Sequence, residues 1–240
     1  MAEHHTTKSF NTCKGDGRFN MLSPDDRSVK LLAQTCMHYW RQASFDTLGN
    51  IQKRFAGIPE LSDYVRYMEL LAKGLRKEAL KHIEDLLSTL RALPADQQRH
   101  FASLLCREAE AETGHRLVPD PLSRRFIQPV IEEWKRVEPC NPEPLRWTGI
   151  LDDLIRAVQL DPSCDLTRRR LILRILGFVG YSTHELPAGY LGVVEDDKDL
   201  LRVAKREAGL LGDGDLREKY LRLVEEEEQE IAEYEKRNKG

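Results

Sequence analysis

Few residues in this chain are spaced for chemistry, and each group that could do it has a plainer reading. Glu112 and His115 have the E-x-x-H spacing with which carboxylate-bridged di-iron bundles hold metal on one helix face. Such a site needs the motif twice plus two more inward glutamates, and the motif occurs once, so we read a solvated helix end. His4, His5 and Cys13 carry metal-ligating atoms, but adjacent histidines in a polar stretch have no converging partners, and a plain tail is expected. Ser182 and His184 sit with Tyr181 and Tyr190 in GYSTHELPAGYLG (180–192), the longest stretch without clear periodicity. No nucleophile, base and acid can be read there, so we expect a connecting loop. Arg168, Arg169, Arg170 and Arg174 crowd one segment, and with Arg124 and Arg125 they could line a concave basic surface. The plainer reading is solvated arginines with their stems along apolar surface. No catalytic residue, cofactor site or metal site is assigned, and no enzyme is expected.

The elements that position these residues read as helices. The 240 residues are 40% hydrophobic, 32% charged and only 7% aromatic, which suits a well-solvated helical protein rather than a β-sandwich. A net charge of −3 excludes a surface built wholly for nucleic acid. Cys13, Cys36, Cys106, Cys140 and Cys164 are odd in number, scattered and never in a CxxC pair. They fit neither a disulfide scaffold nor a zinc finger, and a reducing cytosol is the expected home. The N-terminus lacks an apolar signal core and no run approaches the roughly 18 apolar residues of a membrane span, so we expect a cytoplasmic protein with no membrane partner.

Residues 1–20 are polar and aperiodic and are expected to form a loose tail. Ser23 then caps a helix with Pro24 in its first turn. Apolar stripes at steps of three and four follow over 29–40 and at Phe45, Leu48, Ile51 and Phe55. The organising stretch is 61–90, two stripes separated by Gly74: Leu61, Tyr64, Val65, Met68, Leu71 and Ala72, then Leu75, Ala79, Ile83, Leu86, Leu87 and Leu90. Gly74 permits φ > 0, so an antiparallel helical hairpin is the economical reading.

A further helix holds Phe101, Leu104, Leu105 and Ala109 and ends at Gly114. LVPDPL, with Pro119 and Pro121, reads as a boundary between an N-terminal lobe (21–117) and a C-terminal lobe (122–240). Beyond it, Phe126, Ile127, Val130, Ile131, Trp134 and Val137 keep helical spacing although Pro129 must kink or start that helix. The stretch 166–179, LTRRRLILRILGFV, is the most apolar and should sit centrally. Asp215 and Glu218 form a D-x-x-E capping pair for a polar last helix, which is expected to fray where Glu225, Glu226, Glu227 and Glu228 repel one another. From 195 to 240 there are 15 acidic and 10 basic residues, net −5.

GLRKEALKHIEDLL (74–87) resembles the second-helix half of a tetratricopeptide (TPR) repeat, with Gly74 at the turn and Ala79 as the small residue where the two helices touch. RAVQLDP (156–162) resembles the end of such a helix. The first-helix signature is absent; Arg66 and Tyr67 stand where the family has Leu-Gly. The resemblance implies an all-α fold of antiparallel helical hairpins, TPR-like or an irregular α-solenoid or bundle. It implies a protein–protein interaction module whose first helices face a groove: an adaptor, a chaperone for another protein, or a toxin-neutralising immunity protein. The contact residues expected on that reading are Arg66, Tyr67 and Glu69, with Arg168, Arg169 and Arg170 as a second face. The alternative is a nucleic-acid-binding regulator that uses the arginine-rich face, with affinity falling steeply as salt rises.

Overall fold

The structure, a computed structural model, describes residues 42–111 and 118–238. The tail 1–20, the Ser23 cap, the 29–40 stripe, the histidines and Cys13 of the N-terminus, the Glu112 and His115 pair and the Gly114 stop lie outside the described residues. Among the described residues the protein is all-α, with ten helices and no strand, and no helix is long and apolar enough to cross a membrane.

Helix α1 (Gln42–Phe55) buries Leu48, Ile51 and Phe55 and ends at a 3-10 turn, Pro59–Leu61. Helices α2 (Ser62–Ala72) and α3 (Arg76–Arg91) meet at Gly74, whose φ of 75° closes α2. The Leu75 N–H donates to the Leu70 carbonyl at 2.8 Å and the Gly74 N–H to the Leu71 carbonyl at 2.9 Å. These are the two bonds of a glycine-terminated Schellman ending, and they satisfy carbonyls that the helix itself leaves open. Ala79, Ile83, Leu86, Leu87 and Leu90 are buried, as their spacing predicts, whereas Leu75, just outside α3, is exposed.

Helix α4 (Ala95–Ala111) buries Phe101, Ala102 and Leu105. The chain then enters an α turn (Asp120–Leu122), a π turn (Ser123–Ile127) and α5 (Gln128–Val137) without a break. Pro129 explains the wide turn. A proline has no N–H for the carbonyl four residues back, here that of Arg125, and its ring crowds the same turn. The freed carbonyl is taken by another helix: Arg91 of α3 donates Nε and Nη2 to it at 3.2 and 2.5 Å.

Helix α6 (Pro142–Trp147) starts at Asn141, whose Oδ1 accepts the Glu143 N–H at 2.9 Å. Helix α7 (Leu151–Leu160) follows the Gly149 turn. Helix α8 (Asp165–Thr183) buries Leu171, Ile172, Ile175, Leu176 and Val179 and packs against α7, α9 (Val194–Gly209) and α10 (Gly214–Asn238), the central place its composition predicts. The cap of α10 is Asp213, not Asp215: Asp213 Oδ1 accepts the Leu216 N–H at 3.0 Å. Nor does α10 end near its glutamate run. Ile231 is buried beyond it, and Lys205 and Lys198 of α9 pair with Glu228 and Glu235 at 2.7 and 2.6 Å.

The apolar side chains form two cores. The first runs from Leu48 to Trp147 and the second from Leu154 to Ile231. LVPDPL is therefore not the division: Leu122, Phe126, Ile127 and Ile131 all belong to the first core, and the cores part near Gly149. Charged groups fill much of the seam. Glu143 Oε1 and Oε2 each take Arg107 Nη2 at 2.9 Å, Oε1 takes Trp147 Nε1 at 3.0 Å and the Ser103 hydroxyl, and Oε2 takes Arg146 Nη1 at 2.5 Å. Burial opposes ionisation of Glu143, but hydrogen bonds from Ser103, Trp147 and Arg107 outweigh it and hold the carboxyl below its usual range. Arg146, so fixed, donates Nε to Thr167 of α8 at 2.6 Å, and Lys135 of α5 meets Asp153 of α7 at 2.6 Å.

Candidate functional site

The residues expected to make a contact strip on α2 divide. Arg66 is exposed and Glu69 half-buried, and they pair with each other, Nη1 to Oε2 at 2.7 Å. Tyr67 is only 4% exposed and stacks on Tyr64 with ring centroids 6.0 Å apart. Burial pushes its phenol up to about 12 against the opposing charge of Arg76. Tyr67 is thus a core residue, which corrects its assignment to a surface strip. Helix α2 packs against both α1 and α3, so it needs a wider apolar face than one stripe, and Tyr67 and Leu70 supply the second flank.

The arginine run does not form one face. Successive helical residues point about 100° apart, and the three side chains leave α8 in three directions. Arg168 is 7% exposed; its Nη1 meets Glu207 Oε2 of α9 at 2.5 Å and its Nη2 donates to the Pro162 carbonyl. Arg169 is half-buried, and its charge acts on the Tyr220 phenol of α10. Arg170 pairs with Glu110 of α4, donates to the Arg146 carbonyl at 2.9 Å, and lies 4.8 Å from the Trp147 ring centroid. Arg124 pairs with Asp120 at 3.1 Å, and Arg125 with Glu84 at 2.5 Å. The concave basic surface expected of these residues is corrected accordingly: Arg168 and Arg170 are internal struts, and the guanidinium of each is already held by a carboxylate.

The stretch 180–192 differs from the expected loop at its start, because α8 continues to Thr183. Ser182 and His184 make no catalytic pair. The Ser182 hydroxyl donates to the Phe178 carbonyl at 3.4 Å, while His184 places Nδ1 2.5 Å from the Tyr181 carbonyl and Nε2 3.0 Å from Glu185. A tight return through the cis Leu186–Pro187 bond brings the chain back along the end of α8, where the Leu191 N–H donates to the Ser182 carbonyl at 3.0 Å. Gly192 is required at that crossing. A Cβ there would collide with Ser182 Oγ and would lie 2.7 Å from Asp197 Oδ2 and 2.9 Å from Ser182 Cβ.

Two side-chain groups tether this return. The Tyr190 hydroxyl donates to Asp197 Oδ2 at 2.6 Å, and its ring stacks on Tyr234 of α10 at 5.2 Å. Burial first, then the hydrogen bond and charge of Asp197, hold the Tyr190 phenol far above its ordinary range. Beneath lies Glu227 of α10, with Oε2 3.2 Å from the Thr183 hydroxyl. Burial, then the charge of Glu230, raises its carboxyl to about 7.

The outer side of this tethered segment is apolar. Because the Cβ direction of Gly192 points inward, its neighbours in extended chain point out, and Leu191 and Val193 are 51% and 57% exposed; Tyr181, at the end of α8, is 59% exposed. Exposed Glu195 and Asp196 follow in the first turn of α9, and Glu185 is exposed on the other side. The sequence signal for this site was present in the aperiodic stretch itself, but its Ser and His drew attention instead of Tyr181, Leu191 and Val193. Elsewhere, a groove of about 600 Å³ runs by Pro129, Glu132, Lys135, Leu145 and Arg156 with charges of both signs and no converging set. Compared with protein-family models, curated proteins and solved structures, the chain matches none.

Proposed function

We propose that this chain is a protein–protein interaction module of the cytosol that grips a partner at the end of its C-terminal unit, through Tyr181, Leu191 and Val193. One observation carries the reading: three large apolar side chains stay exposed on a segment whose backbone is fixed by hydrogen bonds to α8 and by the Tyr190 tether to α9 and α10. A rigid apolar knuckle loses little conformational freedom on binding, and aromatic anchors are where interface energy concentrates. The acidic residues beside it favour a partner segment with apolar side chains flanked by lysine or arginine. Adaptor, chaperone and toxin-neutralising immunity roles all fit such a module, and the TPR-like reading of the α2–α3 hairpin belongs to the same proposal. Arg66 and Glu69 are a weaker contact pair on this view, since they already neutralise each other.

The test is affinity capture from native cytosol with wild-type protein and with Tyr181→Ala combined with Leu191→Ser and Val193→Ser. The expected result is a specific protein captured by the first and lost by the second at unchanged thermal stability. Identical capture by both refutes the site. Retention of bulk nucleic acid that falls steeply with salt would favour the arginine-based regulator instead.

A further inference from the structure

The α2–α3 hairpin holds a cluster remote in sequence from that knuckle. Asp63 enters from the first turn of α2, while His82 and Asp85, three residues apart, share a face of α3. One ligand atom from each, an imidazole nitrogen and a carboxylate oxygen from each aspartate, all lie within 4.8 Å of one another. His82 Nδ1 is already 3.2 Å from Asp63 Oδ1. Zinc bonds of about 2.0–2.1 Å in a tetrahedral site set donors roughly 3.3 Å apart. The first pair therefore meets that spacing, and Asp85, which is exposed, has the rotational freedom to complete it.

The helices cannot drift apart beneath these donors. Tyr64, Ile83 and Leu86, the chain neighbours of the three, are all buried in the first core. Charge points the same way. On the same two helices Glu69 is balanced by Arg66 and Glu84 by Arg125, whereas exposed Glu78 and Asp85 are in none of the described ion pairs. Among those pairs Asp63 has His82 as its partner.

We propose that Asp63, His82 and Asp85 form a binding site for one divalent transition-metal ion of the zinc type, which clamps α2 to α3. One imidazole nitrogen with two carboxylate oxygens suits a borderline ion such as Zn²⁺ or Co²⁺, whereas Mg²⁺ favours an all-oxygen shell rich in water. The open side of the site leaves the remaining position to water.

His4 and His5 could bind metal independently, so the test uses the full chain carrying His4→Ala and His5→Ala. Calorimetric titration with Zn²⁺ is expected to give one ion per chain, Co²⁺ to give visible absorption, and Zn²⁺ to raise the melting temperature. Asp85→Asn changes an exposed side chain and should leave the fold intact while weakening binding at least about tenfold, the lower end of what metal sites lose even from outer-shell changes. His82→Ala should remove both the Co²⁺ absorption and the thermal rise. Absence of binding in the His4- and His5-free chain overturns the site, as does binding that survives Asp85→Asn and His82→Ala undiminished. Equal affinity for Mg²⁺ overturns the assigned metal class.

Discussion

Replacing Glu227 by glutamine should stabilise this protein, by an amount that grows as pH rises from about 4.5 to about 7 and is constant above that. The carboxyl faces Asp197 of α9, Tyr190 of the return loop, the Thr183 hydroxyl of α8, and Glu226 and Glu230 on its own helix. Burial and these like charges raise it from an ordinary 4.5 to about 7. The folded chain thus holds this proton more tightly than the unfolded chain does. The favourable contribution of the protonated group is complete below about pH 4.5, and it is lost as pH rises through about 7. Each decade of acidity is worth about 1.4 kcal/mol, so the full penalty above pH 8 is about 3 kcal/mol. Glutamine keeps the shape and the reach to Thr183 but cannot ionise. Urea unfolding of Glu227→Gln and wild type at about pH 4, 6 and 8 should show a gap near zero at the acid end that widens to about 3 kcal/mol at the alkaline end, with unchanged slopes. A gap independent of pH, or a variant less stable at pH 8, would show that Glu227 is solvated or bound by a cation and that the packing drawn around it is wrong.

Ala79 is buried where α3 packs on α2, so Ala79→Leu should cost about 1–3 kcal/mol by overpacking, read from the denaturation midpoint. Arg168→Ala leaves the buried Glu207 carboxylate with Arg206 on Oε1 but no described partner on Oε2, and should cost about 3 kcal/mol, the lower end for breaking a buried pair, whereas Arg66→Ala at the surface pair should change stability by less than about 1 kcal/mol. Arg91→Ala should cost about 1 kcal/mol and clearly less in a Pro129→Ala background, where a restored N–H can reach the Arg125 carbonyl; a double-mutant cycle with no coupling would contradict that account of the π turn.

The parts of this fold that depend on neighbours in sequence were legible before the structure. The α3 stripe from Ala79 to Leu90 is buried as its spacing implies, Gly74 does adopt a positive φ, and 166–179 lies at the centre of the second core. What failed depended on partners distant in the chain. Tyr67 looked like a surface residue because nothing in α2 alone says that it is packed on two sides. Arg168 and Arg170 looked like a patch because their carboxylates, Glu207 and Glu110, lie 39 and 60 positions away. Pro119 and Pro121 looked like a boundary because prolines end helices, but here they open one that rejoins the first core. The exposed knuckle was hidden because only the Gly192 crossing decides that Leu191 and Val193 face outward.

The seam built on Arg146, Arg170 and the Lys135–Asp153 pair bears on how this molecule melts. Each core keeps its own apolar surface, so parting the two units would wet mainly groups that water solvates well, with Trp147 and Leu166 the principal exceptions. Heat-capacity change follows newly wetted apolar area, and polar exposure lowers it. Separation of the units would therefore add little to the heat-capacity change of unfolding, while hydrogen exchange would report it as a local opening distinct from the melting of either core. Because the joint is directional rather than greasy, the two units fit in one orientation or part altogether, and a sliding intermediate has nothing to hold it.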